Sequence, residues 1–376
     1  MLYYLSRRAA LKWLETPSVY QISKDELYEL DQESFRFIRD CMAAGGCASR
    51  DTAFIDYCIE EGILTAELVS GGRPPVVQSP VPSLRYLELQ ITDACNLRCN
   101  HCYIGDGAGS ELPVAQIRSL LAEFDAMQGL RVLLSGGEPL MHTRFPEINE
   151  MLPDFYLRKV LFTNGLLLKK ELLKALKVDE LQISIDGLRA SHDGIRGAGT
   201  YDRALEALRL ALDAGFAVSI STMVHRANLS DFDRLEALFK EIGIKDWTVD
   251  VPCPAGRMKE HPELLISPGE GGRLLGYGFG AGLHSSGKGF GCGLHLMSVL
   301  ADGRTAKCTF YGDQAVGTIE EGLATAWHRI KPVLLKDLSC DCDYLEVCRG
   351  GCRYRAEQTE GPGGKDRYRC MLYGVR

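Results

Sequence analysis

The sequence predicts an α/β fold built on a parallel sheet, and three observations carry that prediction. Between Leu87 and Val251, short apolar runs rich in β-branched residues alternate with amphipathic stretches, the pattern of repeated βα units. Six such runs recur, enough for one large sheet. The residues suited to chemistry stand just after the first three runs, where parallel βα units place their active loops.

Taken in order, residues 1–83 form a separate unit. The runs 18–23 and 26–30 read as a hairpin, followed by predicted helices near 32–43 and 51–61, the second closing at Gly62. The turn-rich stretch from Gly71 through Pro74 and Pro75 to Pro82 reads as a linker. The six strand runs are 87–91, 132–135, 160–163, 181–185, 218–224 and 247–251. Between the last two, residues 230–242 repeat Phe232, Leu235, Leu238, Phe239 and Ile242 at three- and four-residue steps, with Asp231, Asp233, Arg234 and Lys240 opposite. That spacing predicts an amphipathic helix packed on the sheet. From 261 onward the chain becomes rich in glycine and cysteine.

A chain of 376 residues with 45% hydrophobic and 25% charged content is ordinary globular material, sized for two or three units. Its net charge of -7 argues against a nucleic-acid partner, and no stretch approaches the ~18 consecutive apolar residues of a membrane span. Arg7 and Arg8 lack the apolar segment of an export signal behind them, so the expected location is cytoplasmic. In such a compartment fourteen cysteines point to metal binding rather than disulfides. Cys95, Cys99 and Cys102 cluster early, seven more crowd the last quarter, and Cys41, Cys47, Cys58 and Cys253 are scattered.

Three thiolates spaced C-x3-C-x2-C on one loop suit one metal centre. Soft thiolate donors select zinc, Cu(I) or an iron-sulfur cluster, and a structural zinc site normally closes with four ligands. A 4Fe-4S cube held by three thiolates keeps one iron free for another ligand. This spacing, with Ser135-Gly136-Gly137-Glu138-Pro139 some thirty residues on, resembles the radical S-adenosylmethionine (SAM) enzymes over about residues 84–260. The resemblance implies a partial (β/α)6 TIM-like barrel open on one side. It also implies that the free iron chelates SAM, and that a 5'-deoxyadenosyl radical abstracts hydrogen from substrate. Ser135 to Pro139 would then hold the amino end of SAM and His101 would lie against adenine. Ser184 would contact ribose or carboxylate, Arg196 would pair with the carboxylate, and Thr163 and Asn164 would line the pocket. Glycine pairs such as Gly136-Gly137 also permit close backbone approach.

The tail reads C-x10-G-x4-C through Cys292, Gly303 and Cys308, then C-x1-C-x5-C-x3-C-x17-C through Cys340, Cys342, Cys348, Cys352 and Cys370. This order resembles the SPASM extension of radical SAM maturases, which implies two auxiliary 4Fe-4S clusters at 261–376. Cys340, Cys342, Cys348 and Cys370 would hold one, and Cys292, Cys308 and Cys352 would belong to the other. The pair Cys340-Asp341-Cys342 is one residue shorter than the family spacing, and Ser285 and Ser286 stand where a further cysteine is expected upstream of Cys292, which leaves that cluster open, 2Fe-2S, or completed by Cys253. Zinc competes for the whole tail. Cys253 has three open readings: cluster ligand, catalytic hydrogen-atom donor, or small hydrophobe.

These readings converge on a peptide maturase. Such an enzyme would use SAM to crosslink or form a thioether in a ribosomally made precursor peptide, with a flavodoxin- or ferredoxin-like protein as external low-potential electron donor. The unit at 1–83 resembles winged-helix peptide-recognition elements, which capture a leader by β-augmentation; a packing cap on the barrel is the alternative. A radical SAM enzyme of cofactor or tetrapyrrole synthesis, or of enzyme activation, is the second reading. A non-catalytic iron-sulfur or zinc scaffold is the third.

Overall fold

The fold is described by a computed structural model covering residues 1–376 except Ser70, Ala281, Ser285, Ser286 and Arg376. The amino-terminal unit contains β1 (Tyr4–Leu5), β2 (Ala9–Trp13), β3 (Pro17–Gln21), β4 (Glu26–Glu29), α1 (Gln32–Asp40), α2 (Thr52–Glu60) and β5 (Leu64–Thr65). Strands β2, β3 and β4 form an antiparallel sheet in that order, with β4 at one edge, and β1 pairs with β5. The expected hairpin is β3–β4, turning through Asp25 at φ 62°. Both helices start on an Asp cap: Asp31 accepts from Ser34 N–H and Asp51 from Phe54 N–H, satisfying donors that a helix start leaves free. Leu5, Val19, Phe35, Ile38, Ile55 and Ile63 close a small core.

The central sheet runs through β6 (Tyr86–Thr92), β7 (Arg131–Gly136), β8 (Arg158–Thr163), β9 (Glu180–Ser184), β10 (Ala217–Met223) and β11 (Asp246–Asp250). All six are parallel and adjacent in chain order. Between them lie α3 (Val114–Ala126), α4 (Phe145–Met151), α5 (Lys170–Ala175), α6 (Arg189–Arg196), α7 (Thr200–Asp213) and α8 (Phe232–Ile242). Every predicted run is a strand within a residue or two.

Strand alternation sorts side chains between two environments. On β6, Leu87, Leu89 and Ile91 are wholly buried in the main core with Ile117, Leu121 and Phe124 of α3. Helix α8 buries Phe232, Leu235 and Phe239 and ends at Gly243, whose φ of 87° a side-chain-bearing residue adopts poorly. Phe239 and Phe232 pack on Trp247 of β11 at ring-centroid distances of 5.0 and 5.9 Å.

The carboxyl-terminal segment contributes α9 (Pro268–Leu274), β12 (Leu296–Val299), β13 (Arg304–Ala306), β14 (Gly317–Thr318), α10 (Leu323–Arg329), α11 (Leu345–Cys348), α12 (Arg353–Glu360) and α13 (Arg367–Leu372). Strand β12 pairs parallel to β6, and β13 and β14 continue antiparallel, so among the described residues the sheet has nine strands. The sequence reading did not anticipate this extension.

The amino-terminal unit docks where the parallel strands begin. Lys12 bonds Asp125 at 3.0 Å with both side chains buried, and Arg158 donates to the Ile22 carbonyl at 2.8 Å. The strand carboxyl ends are left to the other face of the sheet.

Candidate active site

The loop after β6 carries Cys95, Cys99 and Cys102. Asp93 organises its return, accepting from Ala108 N–H at 3.0 Å and Ser110 N–H at 2.8 Å. Buried Arg257 clamps the loop: its Nε donates to the Cys99 carbonyl at 2.9 Å, its backbone N–H to the Cys102 carbonyl at 2.9 Å, and its Nη1 to the Gly105 carbonyl at 2.6 Å. Leu97 N–H donates to the Cys95 sulfur at 3.4 Å.

The loop after β7 fits beneath it. Gly137 N–H bonds the Thr92 carbonyl and Glu138 N–H the Ala94 carbonyl, at 2.9 and 2.8 Å. A Cβ at Gly136 would stand 2.1 Å from the Thr92 oxygen, and one at Gly137 2.4 Å from the Ala94 oxygen. The glycine pair is thus required by the close approach of the cysteine loop itself. Glu138 is fully buried behind it, accepting from Thr163 Oγ1 at 2.9 Å and Asn164 N–H at 2.8 Å. Burial pushes its carboxyl up to about 7 against those bonds. Asn164 Nδ2 in turn holds Asn96 Oδ1 at 2.8 Å, tying β8 to the cysteine loop.

A second buried knot lies after β9. Asp186 accepts from Arg196 Nε at 2.5 Å and lies 3.3 Å from His101 Nε2. Its backbone N–H donates to His192 Nδ1 at 3.1 Å. Burial opposes ionisation of Asp186, yet Arg196 and His101 hold its carboxyl well below the usual range. Burial likewise lowers His101 to about 4, and its Nδ1 has no partner among the described residues.

These elements enclose a cavity of about 360 Å³ at the carboxyl ends of the strands. Of the residues expected from sequence, Cys95, Cys99, Cys102, His101, Ser135, Gly136, Gly137, Thr163, Asn164, Ser184, Arg196 and Cys253 all line it. Glu138 and Pro139 do not, and sit behind the wall. Sequence reasoning missed Glu88, Asp186 and Arg257. Glu88 also lines the cavity; it accepts from Ser135 Oγ at 3.2 Å and Ser298 Oγ at 3.3 Å, and burial pushes its carboxyl up to about 7. A carboxylate in the middle of the apolar run Leu87-Glu88-Leu89 was the available signal.

The tail forms two cysteine groups. Cys340, Cys342, Cys348 and Cys370 line one small cleft beside Asp366 and Arg369, the short Cys340–Cys342 spacing included. The chain turns there through Arg349, Gly350 and Gly351, all with positive φ. In the other group, Cys253, Cys308 and Cys352 share an apolar cluster with Tyr311 and Tyr354. Cys253 and Cys352 interact within it, which draws the Cys352 thiol down and pushes the Cys253 thiol up. Cys292 faces Cys352 and Lys307. Ser285 and Ser286 lie outside the described residues.

Three thiols on one loop, a backbone cradle that a Cβ would fill, and a cavity-lining imidazole with one buried nitrogen unpartnered among the described residues fit a SAM-bound cluster. Among the described residues no three Cys, His, Asp or Glu side chains converge as ligands of a single metal ion do. A cube differs in binding each thiolate through its own iron, so its ligands need no common point.

Residues 89–239 match the model of the radical SAM superfamily. Its relatives include the AdoMet-dependent heme synthase of Methanosarcina barkeri, 34% identical over 200 residues, which cover 51% of this chain and 56% of that protein. Mycofactocin maturase MftC of Mycobacterium tuberculosis is 34% identical over 164 residues, 42% of each chain. The chain thus spans about half the length of the curated relatives it matches. Among solved structures, Streptococcus suis SuiB bound to precursor peptide SuiA matches with a TM-score of 0.68 at 15% identity, over 97% of this chain and 98% of that one. That likeness is one of fold. No helix of the described residues is long and apolar enough to cross a membrane.

Proposed function

We propose that the chain is a radical SAM enzyme that binds a 4Fe-4S cluster through Cys95, Cys99 and Cys102 and oxidatively modifies a ribosomally made peptide. The observation that carries this reading is the single cavity shared by those three thiols and the SAM-side residues. A cluster bound there supplies the electron that breaks a C–S bond of SAM. The chain's own residues set the geometry: Arg257 fixes the cysteine loop and the Asp186–Arg196–His101 knot orients a buried imidazole and guanidinium toward the cavity. Glu138 braces Thr163 and Asn164. The two tail groups suit auxiliary clusters that accept an electron from the oxidised substrate, with a flavodoxin- or ferredoxin-like protein as external donor.

Peptide modification is favoured by two similarities: the maturase among the relatives, and the fold shared with a peptide-bound enzyme over nearly the whole chain. In this reading residues 1–83 recognise the leader, with the edge of β4 as the docking strand, residues 84–260 form the barrel and 261–376 the auxiliary-cluster region. The reaction belongs in the cytoplasm, where fourteen unpaired cysteines stay reduced. Tetrapyrrole chemistry is the second reading, favoured by the heme synthase match.

Anaerobic reconstitution tests the enzyme reading: dithionite and SAM yield 5'-deoxyadenosine with the wild-type chain and none with C95A/C99A/C102A. Zinc uptake without SAM cleavage would instead establish a scaffold. Co-expression with a short peptide encoded beside the gene separates the substrates, a mass loss of two hydrogens marking oxidative peptide modification.

A further inference from the structure

We infer that Cys253, carried by the barrel rather than the tail, is the fourth thiolate of the auxiliary cluster that Cys292, Cys308 and Cys352 begin. This deepens the proposed function and rests on the tail holding iron-sulfur clusters.

Burial in a shared cluster and one ion network bring Cys253 to that group. Its side chain is 3% exposed and packed with Cys352 inside an apolar cluster that also includes Cys308. The approach is enforced by Arg355, one turn after Cys352 on α12: its Nη1 spans Asp250 Oδ1 and the Val251 carbonyl, both at 3.0 Å, at the end of the strand that leads into Cys253. Asp366 locks the other side, accepting from Cys352 N–H at 2.8 Å and Arg355 Nη2 at 2.7 Å. Rings close the surroundings, Tyr311 against Tyr354 at 5.2 Å and Phe310 against Tyr354 at 5.6 Å.

A lone buried cysteine is usually a small hydrophobe. Cys253 differs in facing a thiol whose helix is tied to its own strand by the buried Arg355. Full ligation by four thiolates leaves no iron of that cluster open, so the cluster serves as electron acceptor and does not bind substrate. Cys253 also lines the SAM cavity, which places that acceptor on the cavity wall. The hydrogen-atom-donor reading needs a free thiol and is displaced.

The test uses the full-length chain in the C95A/C99A/C102A background, which removes the SAM cluster and leaves the tail. Anaerobic reconstitution there gives about eight iron per chain, two cubes' worth. Adding C253A either lowers iron to about four or retains it with one iron opened, seen as 13C hyperfine coupling when 13C-cyanide is added to the reduced protein. The background itself shows no such coupling. Unchanged iron, unchanged spectra and no cyanide coupling in C253A would overturn the inference, as would zinc in place of iron. C253S, with unchanged circular dichroism and iron still held by Cys340, Cys342, Cys348 and Cys370, separates ligand loss from misfolding. Failure of the wild-type chain to form 5'-deoxyadenosine would reject the proposed function without touching this result.

Discussion

Glu88 and His192 respond to pH in opposite senses. Burial raises Glu88 to about 7 despite bonds from Ser135, Ser298 and Thr309. The unfolded chain releases this proton near 4.5 while the folded chain keeps it, so stability falls as pH rises from about 4.5 to 7, by up to about 3 kcal/mol at ~1.4 kcal/mol per unit. E88Q removes that slope, and chemical denaturation at pH 5 and pH 8 should show the variant gaining on wild type at the higher pH. Burial lowers His192 to about 4, and its Nδ1 must stay unprotonated to accept the Asp186 N–H. Here the unfolded imidazole takes up its proton first, so stability is full above about 6.5 and lost as pH falls toward 4, by up to about 3 kcal/mol. H192N should flatten that acid limb. Both residues stood in plain view in the sequence, yet nothing in their neighbours along the chain told which groups would surround them.

At the scale of elements, the cysteine loop is shaped by its neighbours more than by its own residues. G137A forces a Cβ to 2.4 Å from the Ala94 oxygen, a contact that backbone on both sides must yield to. The expected outcome is a loss of stability on the order of 1–3 kcal/mol, as for other overpacked sites, together with loss of SAM-dependent 5'-deoxyadenosine formation. Thermal denaturation and product analysis check the two parts. R257A frees the carbonyls of Cys99 and Gly105, leaving only the backbone bond to Cys102, and should lower the iron retained through desalting by about four per chain, leaving the tail loaded. The strands themselves were legible because alternation writes burial directly into sequence: Leu87, Leu89 and Ile91 turn to the helices while Glu88 turns to the cavity. Arg257 was not legible, since a clamp between loops more than 150 residues apart leaves no local period.

Over the whole molecule, the amino-terminal unit and the tail both join the barrel through buried charge. Lys12 meets Asp125 with 2% and 5% side-chain exposure, and Asp125 Oδ2 also accepts from Tyr156 N–H at 2.9 Å. K12A strands that carboxylate, and removing one partner of such a pair costs about 3–5 kcal/mol. Equilibrium urea unfolding of the full chain should show that loss. At the other end Arg355 ties α12 to both Asp250 and Asp366, so the tail is ordered by an ion network as well as by its cysteines.

What the sequence determined by itself was local: six strand runs, the amphipathic helix between the last two, and two cysteine-bearing regions set by spacing. Tertiary structure alone decided which cysteines meet, that Glu88 bonds Ser135 and Ser298, and that β12 extends the sheet along β6. The physical reason is range. Alternation and ligand spacing are properties of neighbours along the chain, whereas a thiol pair between Cys253 and Cys352 exists only once buried charges have brought two distant segments together.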